Sequence, residues 1–370
     1  MSSLWIYFYL GLSALLISWA FAPLCKKLSR RFGIVDTPDP RKNHKGNIPL
    51  LGGVAIFAAF NAVVFGHILA AALLSSSQPV SATSSLAAHR MNAAIEYLPR
   101  LLVIGGGGLG FFLTGLLDDR RVLSVKARFV IEFLLAGGLV AAGVRFDLGF
   151  LPKPAGMALT VVWIVGMANA FNLLDGLDGL AAGVTVICSS ILAVVLVQGG
   201  QPLVAMYAVA LAGSAAGFLR YNFHPASIFM GSSGSLFLGY TLGVSVVIAS
   251  FRVEGTSAAF PLLMPVLLLA VPLYDTASVV FIRLRERRPI FSSDRSHTHH
   301  RLLAAGFSER SAVVFIWLLT FMVGISSVIL LTAPLWLGIM IFLQATLAFA
   351  LILLAKHMRL RNPAGPDSKN

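Results

Sequence analysis

Apolar runs of about 20 residues, the length a helix needs to cross the hydrocarbon core of a bilayer, recur along the whole chain with short polar stretches between them. Eleven spans are predicted: 4–24, 50–74, 98–117, 127–144, 156–174, 180–199, 202–221, 227–250, 257–282, 311–333 and 335–355. Open sheet edges do not survive in lipid, so each run is expected to be a helix. The predicted fold is all-α, a polytopic membrane helix bundle. Residues 1–356 are expected to form one integral-membrane domain and 357–370 a polar tail.

Composition agrees with the pattern. Of 370 residues, 57% are hydrophobic and only 12% charged, and the mean hydropathy of +0.85 lies outside the range of soluble globular chains. Ala20, Phe21 and Ala22 in the first run resemble a signal-peptide cleavage site. No basic stretch precedes that run and it is too long, so a retained anchor is expected. Cys25 and Cys188 lie in or beside separate spans, where they are expected to pack in the core rather than form a disulfide framework.

Charge then sets orientation. The net charge is +13, and 23 of the 28 lysines and arginines fall in alternate loops and the carboxyl-terminal tail. They concentrate at Lys26 to Lys45, Arg120 to Arg128, Arg283 to Arg310 and Lys356 to Lys369. Positive loops stay in the cytoplasm, which predicts an amino terminus outside and a carboxyl terminus inside. No nucleic-acid recognition motif accompanies the charge, so topology explains it and a nucleic-acid partner is not expected. A basic cytoplasmic face would attract anionic lipids and phosphorylated substrates.

The 15 acidic residues are informative because an unpaired carboxylate is costly at a membrane. Asp118 and Asp119 end the third span in GLLDDRR, and Asn169, Asn172, Asp175 and Asp178 lie in NAFNLLDGLDG. His297, His299 and His300 lie in SSDRSHTHHRLL before the tenth span. All three groups are predicted on the cytoplasmic face, as one active site requires. Adjacent carboxylates repel, so Asp118 and Asp119 suggest a divalent metal, a proton acceptor, or salt bridges to Arg120 and Arg121. Asn169, Asn172 and Asp175 recur at a spacing of three and are expected to stack on one helix face. Such hard oxygen donors suit Mg²⁺, or Mn²⁺ in its place, shared with substrate phosphates. The glycine run from Gly105 lacks the lysine and hydroxyl of a P-loop and is read as close helix packing. The intramembrane acids Glu132 and Asp275 are read as helix-to-helix hydrogen bonding at least as readily as function.

Five collinear segments between about residues 30 and 310 resemble the polyprenyl-phosphate N-acetylhexosamine-1-phosphate transferase family, glycosyltransferase family 4. DTPDPRKNHKGNIPLLGG resembles the family's first cytoplasmic loop and implies that Lys45 contacts nucleotide. GLLDDRRVLSVK carries the aspartate pair and implies that Lys126 contacts phosphate. NAFNLLDGLDGLA implies Asn172 as a metal ligand and places Asp178 near the uracil. RYNFHPASIFMGSSGSLFLG puts Asn222 and Phe229 at positions lining the uridine pocket, and DRSHTHHRLL implies that the histidine loop contacts the pyrophosphate and sugar. The implied catalytic residues are Asp118, Asp119, Asp175 and His297, with Arg295, His299 and His300 among the substrate-binding ones.

The spacing of the histidines resembles the N-acetylglucosamine-1-phosphate branch, which implies UDP-N-acetylglucosamine as donor and undecaprenyl phosphate as acceptor at a bacterial inner membrane. Membrane lipids would surround the protein, and a homodimer is compatible with it. One departure stands out: where the family reads MGDSGS, this chain has Ser232, a neutral hydroxyl in place of a metal-binding carboxylate. Ser232 raises a second reading, a catalytically impaired relative that still binds UDP-sugar or lipid phosphate. A third, a proton-coupled transporter, would show an internal repeat, and no such repeat is present.

Overall fold

A computed structural model describes residues 2–37, 46–77, 98–148, 150–249, 260–289, 296–330 and 334–360. Its helices are α1 (Ser2–Arg31), α2 (Gly52–Ser77), α3 (Leu98–Arg121), α4 (Val125–Ala141), α5 (Lys153–Leu174), α6 (Leu180–Gln198) and α7 (Pro202–Asn222). They continue with α8 (Gly231–Ile248), α9 (Phe260–Leu268), α10 (Ala270–Arg285), α11 (Thr298–Ala304), α12 (Glu309–Ile329) and α13 (Leu335–Leu360). Eight of these, α1, α2, α3, α5, α6, α7, α8 and α12, are long and apolar enough to cross a membrane. The chain is thus nearly all helical, as predicted, apart from a two-residue antiparallel pair, β1 (Val35–Asp36) with β2 (Ile48–Pro49), in which Val35 faces Pro49.

Two predicted spans differ in detail. The run 257–282 is broken at Leu269 into α9 and α10. Pro272, in the first turn of α10, has no N–H to donate to the carbonyl at 268, and its ring crowds that carbonyl, which favours a break at this point. The run 227–250 becomes helical only at Gly231. The preceding stretch pairs with the entry to α2, where Phe229 N donates to Pro49 O at 2.8 Å and Gly52 N and Gly53 N donate to Phe229 O and Met230 O at 2.9 Å each.

The chain divides into two compact units, Met1–Ser250 and Phe251–Asn370. In the first unit α8 is the central helix, contacted by α2, α3, α5 and α7, and nearly every residue from Ser233 to Val247 is buried. Its hydroxyls are satisfied along its own axis, Thr241 Oγ1 donating to Phe237 O at 2.7 Å and Ser245 Oγ to Thr241 O at 2.6 Å. Tyr240 of α8 lies against Gly107 and Gly108 of α3 and donates to Ile104 O at 2.7 Å. The glycine run is therefore a packing surface. In the second unit α12 packs on α9, α10 and α11.

Candidate active site

Asp118 and Asp119 stand in the last turn of α3, where it meets the first turn of α8. Asp119 caps α8: its Oδ1 accepts Ser232 N at 2.6 Å and its Oδ2 accepts Ser233 N at 3.0 Å. Two otherwise orphaned donors at the positive end of a helix are thereby satisfied by a carboxylate. Gly231 makes the approach possible, since its φ is +68° and a Cβ there would sit 2.5 Å from Asp119 Oδ2. Asp118 points elsewhere, accepting Leu123 N at 2.8 Å on Oδ1 and Ser232 Oγ at 2.9 Å on Oδ2.

The cationic partner of Asp118 is Arg128 of α4, Nη1 to Oδ2 at 3.4 Å, whereas Arg120 and Arg121, the partners considered from sequence, are exposed. Sequence reasoning passed over Arg128, although its spacing of four residues from Glu132, an acid in a predicted span, was a usable signal. Arg128 Nη2 also donates to Asn169 Oδ1 at 3.1 Å. Asn169 in turn donates from Nδ2 to Glu132 Oε2, so Glu132 does make a helix-to-helix hydrogen bond. Lys126 is exposed in the first turn of α4.

The asparagine and aspartate ladder is shorter than its spacing suggests, because α5 ends at Leu174 and Asp175 is its C-cap, with φ −75° and ψ 44°. Asn169 is engaged by α4, while the Asn172 Nδ2 is buried without a hydrogen-bond partner. Asp175 lies between Asp119 and Asp178 electrostatically. Burial, reinforced by those two charges, holds its carboxyl well above the ordinary carboxylate range. Asp178 Oδ2 accepts Ala226 N at 2.8 Å and faces His224 Nδ1 at 3.0 Å. Asn222 is buried and staples two backbones, accepting Gly179 N and donating to Ile228 O, each at 3.1 Å. Phe229, which follows Ile228 in the chain, is half-buried. The Asp175 carboxyl, set among carboxyls, offers hard oxygens that a divalent cation would suit, whereas the orphaned Asn172 nitrogen is an N–H donor that calls for an acceptor.

The histidines belong to the second unit. Asp275 of α10 receives them: Oδ1 accepts Thr298 N at 2.6 Å, and Oδ2 faces His297 Nδ1 at 2.7 Å. Its carboxylate therefore caps α11 and orients His297. Ser278, one turn along, accepts Arg301 Nη2 at 2.7 Å. The His299 ring lies between His297 and His300, with centroids at 5.6 and 4.3 Å. Burial, then electrostatic interaction with His300, pushes its imidazole down to about 3, so it is neutral at pH 7. Lys45 and Arg295 lie outside the described residues.

Comparison with known proteins places this geometry in context. The family model described as glycosyl transferase family 4 matches residues 101–250. A Bacillus subtilis protein named as a probable undecaprenyl-phosphate N-acetylglucosaminyl 1-phosphate transferase is 36% identical over 340 residues, 89% of this chain and 86% of that protein. The decaprenyl-phosphate N-acetylglucosaminephosphotransferase of Mycolicibacterium smegmatis is 34% identical, covering 83% of this chain and 78% of that one. The undecaprenyl-phosphate alpha-N-acetylglucosaminyl 1-phosphate transferase of Yersinia pestis is 31% identical over 90% of this chain and 88% of its own length.

Proposed function

This chain belongs to glycosyl transferase family 4, and we propose that it transfers N-acetylglucosamine-1-phosphate from UDP-N-acetylglucosamine to undecaprenyl phosphate, releasing UMP. The names carried by its relatives support both substrates. The observation in the protein that carries the reading is the gathering of Asp118, Asp119, Asp175 and Asp178 at adjoining helix ends of an apolar bundle. Four carboxylates in such a setting are costly unless a cation and its ligands complete them.

In the proposed reaction an ionised phosphate oxygen of the lipid bonds to the sugar-bearing phosphorus of the donor. The bond from that phosphorus to the bridging oxygen breaks, and UMP leaves with the electron pair. A phosphate monoester with a second pKa near about 6 is mostly ionised at pH 7. Asp118 then serves to orient the acceptor or to take its residual proton. Asn172, Asp175 and the Asp118 and Asp119 pair would hold Mg²⁺ or Mn²⁺, whose charge would neutralise the donor diphosphate; Ser232 adds only a hydroxyl. Asp178, Asn222 and Phe229 would line the uridine, with Lys45 and Lys126 on nucleotide and phosphate. His297, His299, His300 and Arg295 would contact the pyrophosphate and sugar.

Eleven spans, an outside amino terminus and a reaction at the cytoplasmic face of a bacterial inner membrane complete the proposal, supported by the distribution of lysine and arginine. The test is a radiolabel transfer assay with purified protein, Mg²⁺, undecaprenyl phosphate and UDP-N-acetylglucosamine, beside Ser232→Asp. Lipid-linked label and UMP from both proteins are expected. Product from Ser232→Asp alone would make this chain an impaired relative. No product from either protein, with other UDP-sugars failing too, would sink the transferase reading.

A further inference from the structure

The three nitrogens of the Arg128 guanidinium face three different residues. Nη1 faces Asp118 Oδ2 at 3.4 Å, Nη2 donates to Asn169 Oδ1 at 3.1 Å, and Nε faces Glu132 Oε1 at 3.6 Å. Asn169 closes the ring, donating from Nδ2 to Glu132 Oε2 and to Val165 O, the latter at 3.0 Å. The Glu132 side chain is fully buried, while those of Arg128 and Asp118 are 18% and 14% exposed. An acid inside an apolar helix is expensive to keep, and the Asp118 contact alone does not call for one.

We propose that Glu132 and Asn169 are positioning residues for Asp118: they hold the Arg128 guanidinium against its carboxylate. The inference rests on the transferase reading for its kinetic consequence, and on geometry alone for the placement of Arg128. Asn169 fixes the guanidinium at Nη2, and Glu132 faces it at Nε while accepting the Asn169 amide. Neither Glu132 nor Asn169 touches Asp118, so both act through Arg128.

The test has two arms on the purified full-length protein in detergent. In the kinetic arm, Glu132→Gln is expected to lower kcat by about 10- to 100-fold, the usual cost of removing an outer partner. The KM of each substrate should stay within about 3-fold, as for loss of an interaction specific to the transition state. Glu132→Asp, which keeps the charge, should recover part of the loss. In the second arm the coupling between Asp118→Asn and Arg128→Met is read from melting temperatures, with and without Glu132→Gln. Placement of Arg128 predicts that this coupling shrinks by at least about 2 °C when Glu132 is replaced.

An unchanged kcat in Glu132→Gln, or a coupling indifferent to Glu132, overturns the proposal. A fall in melting temperature with kcat intact would reduce Glu132 to a structural role and overturn it equally. If the unmodified protein forms no lipid product, the transferase reading fails by itself. The coupling arm then decides the placement of Arg128 alone.

Discussion

Asp118 and Asp119 are adjacent and chemically identical, yet the structure predicts that neutralising them has different consequences. Asp119→Asn leaves one oxygen to accept one of the two backbone donors at the start of α8, and turns an amide N–H toward the other, Ser232 N or Ser233 N. A hydrogen bond to a charged acceptor contributes about 1.5–3 kcal/mol, and a carboxylate at a helix N-terminus a further 0.3–1 kcal/mol or so. Relief of repulsion with Asp118 and Asp175 offsets part of that, leaving a loss of about 2 kcal/mol. Asp118→Asn keeps an oxygen for Leu123 N, and its amide can donate to the Ser232 hydroxyl, which can turn to accept. What it loses is the part-exposed contact with Arg128 at 3.4 Å, worth at most about 1 kcal/mol.

Reversible unfolding in mixed micelles, read by tryptophan fluorescence, should therefore rank Asp119→Asn as the less stable variant by about 1–2 kcal/mol. The transfer assay should show Asp118→Asn to be well folded and impaired. Equal stabilities, or the reverse order, would refute the assignment of Asp119 as the cap of α8 and of Asp118 as the residue free for chemistry.

Three further outcomes are expected. Ser232→Asp would place a second carboxylate where Ser232 Oγ now lies 2.9 Å from Asp118 Oδ2, so it should melt below the unmodified protein without divalent cation and gain more on addition of Mg²⁺; thermal shift measurements check both. Gly231→Ala should cost about 1–2 kcal/mol from the left-handed backbone alone and more from collision with Asp119, whereas Gly106→Ala, with open space around it, should be neutral or stabilising in the same unfolding assay. His299, pushed down to about 3 from 6.5, stays neutral in the folded protein while the unfolded chain takes up a proton; stability is full above about 6.5 and falls as pH drops toward 3. His299→Gln should flatten that acid loss in melting curves taken across the range, and an unchanged slope would count against a buried neutral imidazole.

The helices were legible because an apolar run of fixed length has one solution in lipid. Their ends were less so. The break at Leu269 was foreshadowed by Pro272, but the late start of α8 depends on backbone pairing between residues 229–230 and 49–53, which no local pattern announces. The polar clusters were visible as types and positions, and what each does was not. Asp275 looked like an isolated intramembrane acid; its reason is a backbone amide and an imidazole 23 and 22 residues away in sequence. Arg128 looked like one more loop cation until α5 brought Asn169 beside it. Sequence spacing reports neighbours on one helix, whereas these partnerships are made between helices.

The departure at Ser232 separates the architecture of the site from its chemistry. What residue 232 gives to the fold is its backbone N–H, held by Asp119, and any residue other than proline supplies that. What its side chain gives is one hydrogen bond to Asp118. Exchange of serine for a carboxylate would therefore leave the junction of α3 and α8 intact while adding a negative charge beside Asp118. That charge has to be balanced, and the balance here already includes Asp175 set against two other carboxylates and Arg128 divided between two acids. A serine lightens the anionic load that a cation must meet. The cation should consequently bind this chain more weakly than it binds Ser232→Asp, with the same helices holding the remaining oxygen donors in place.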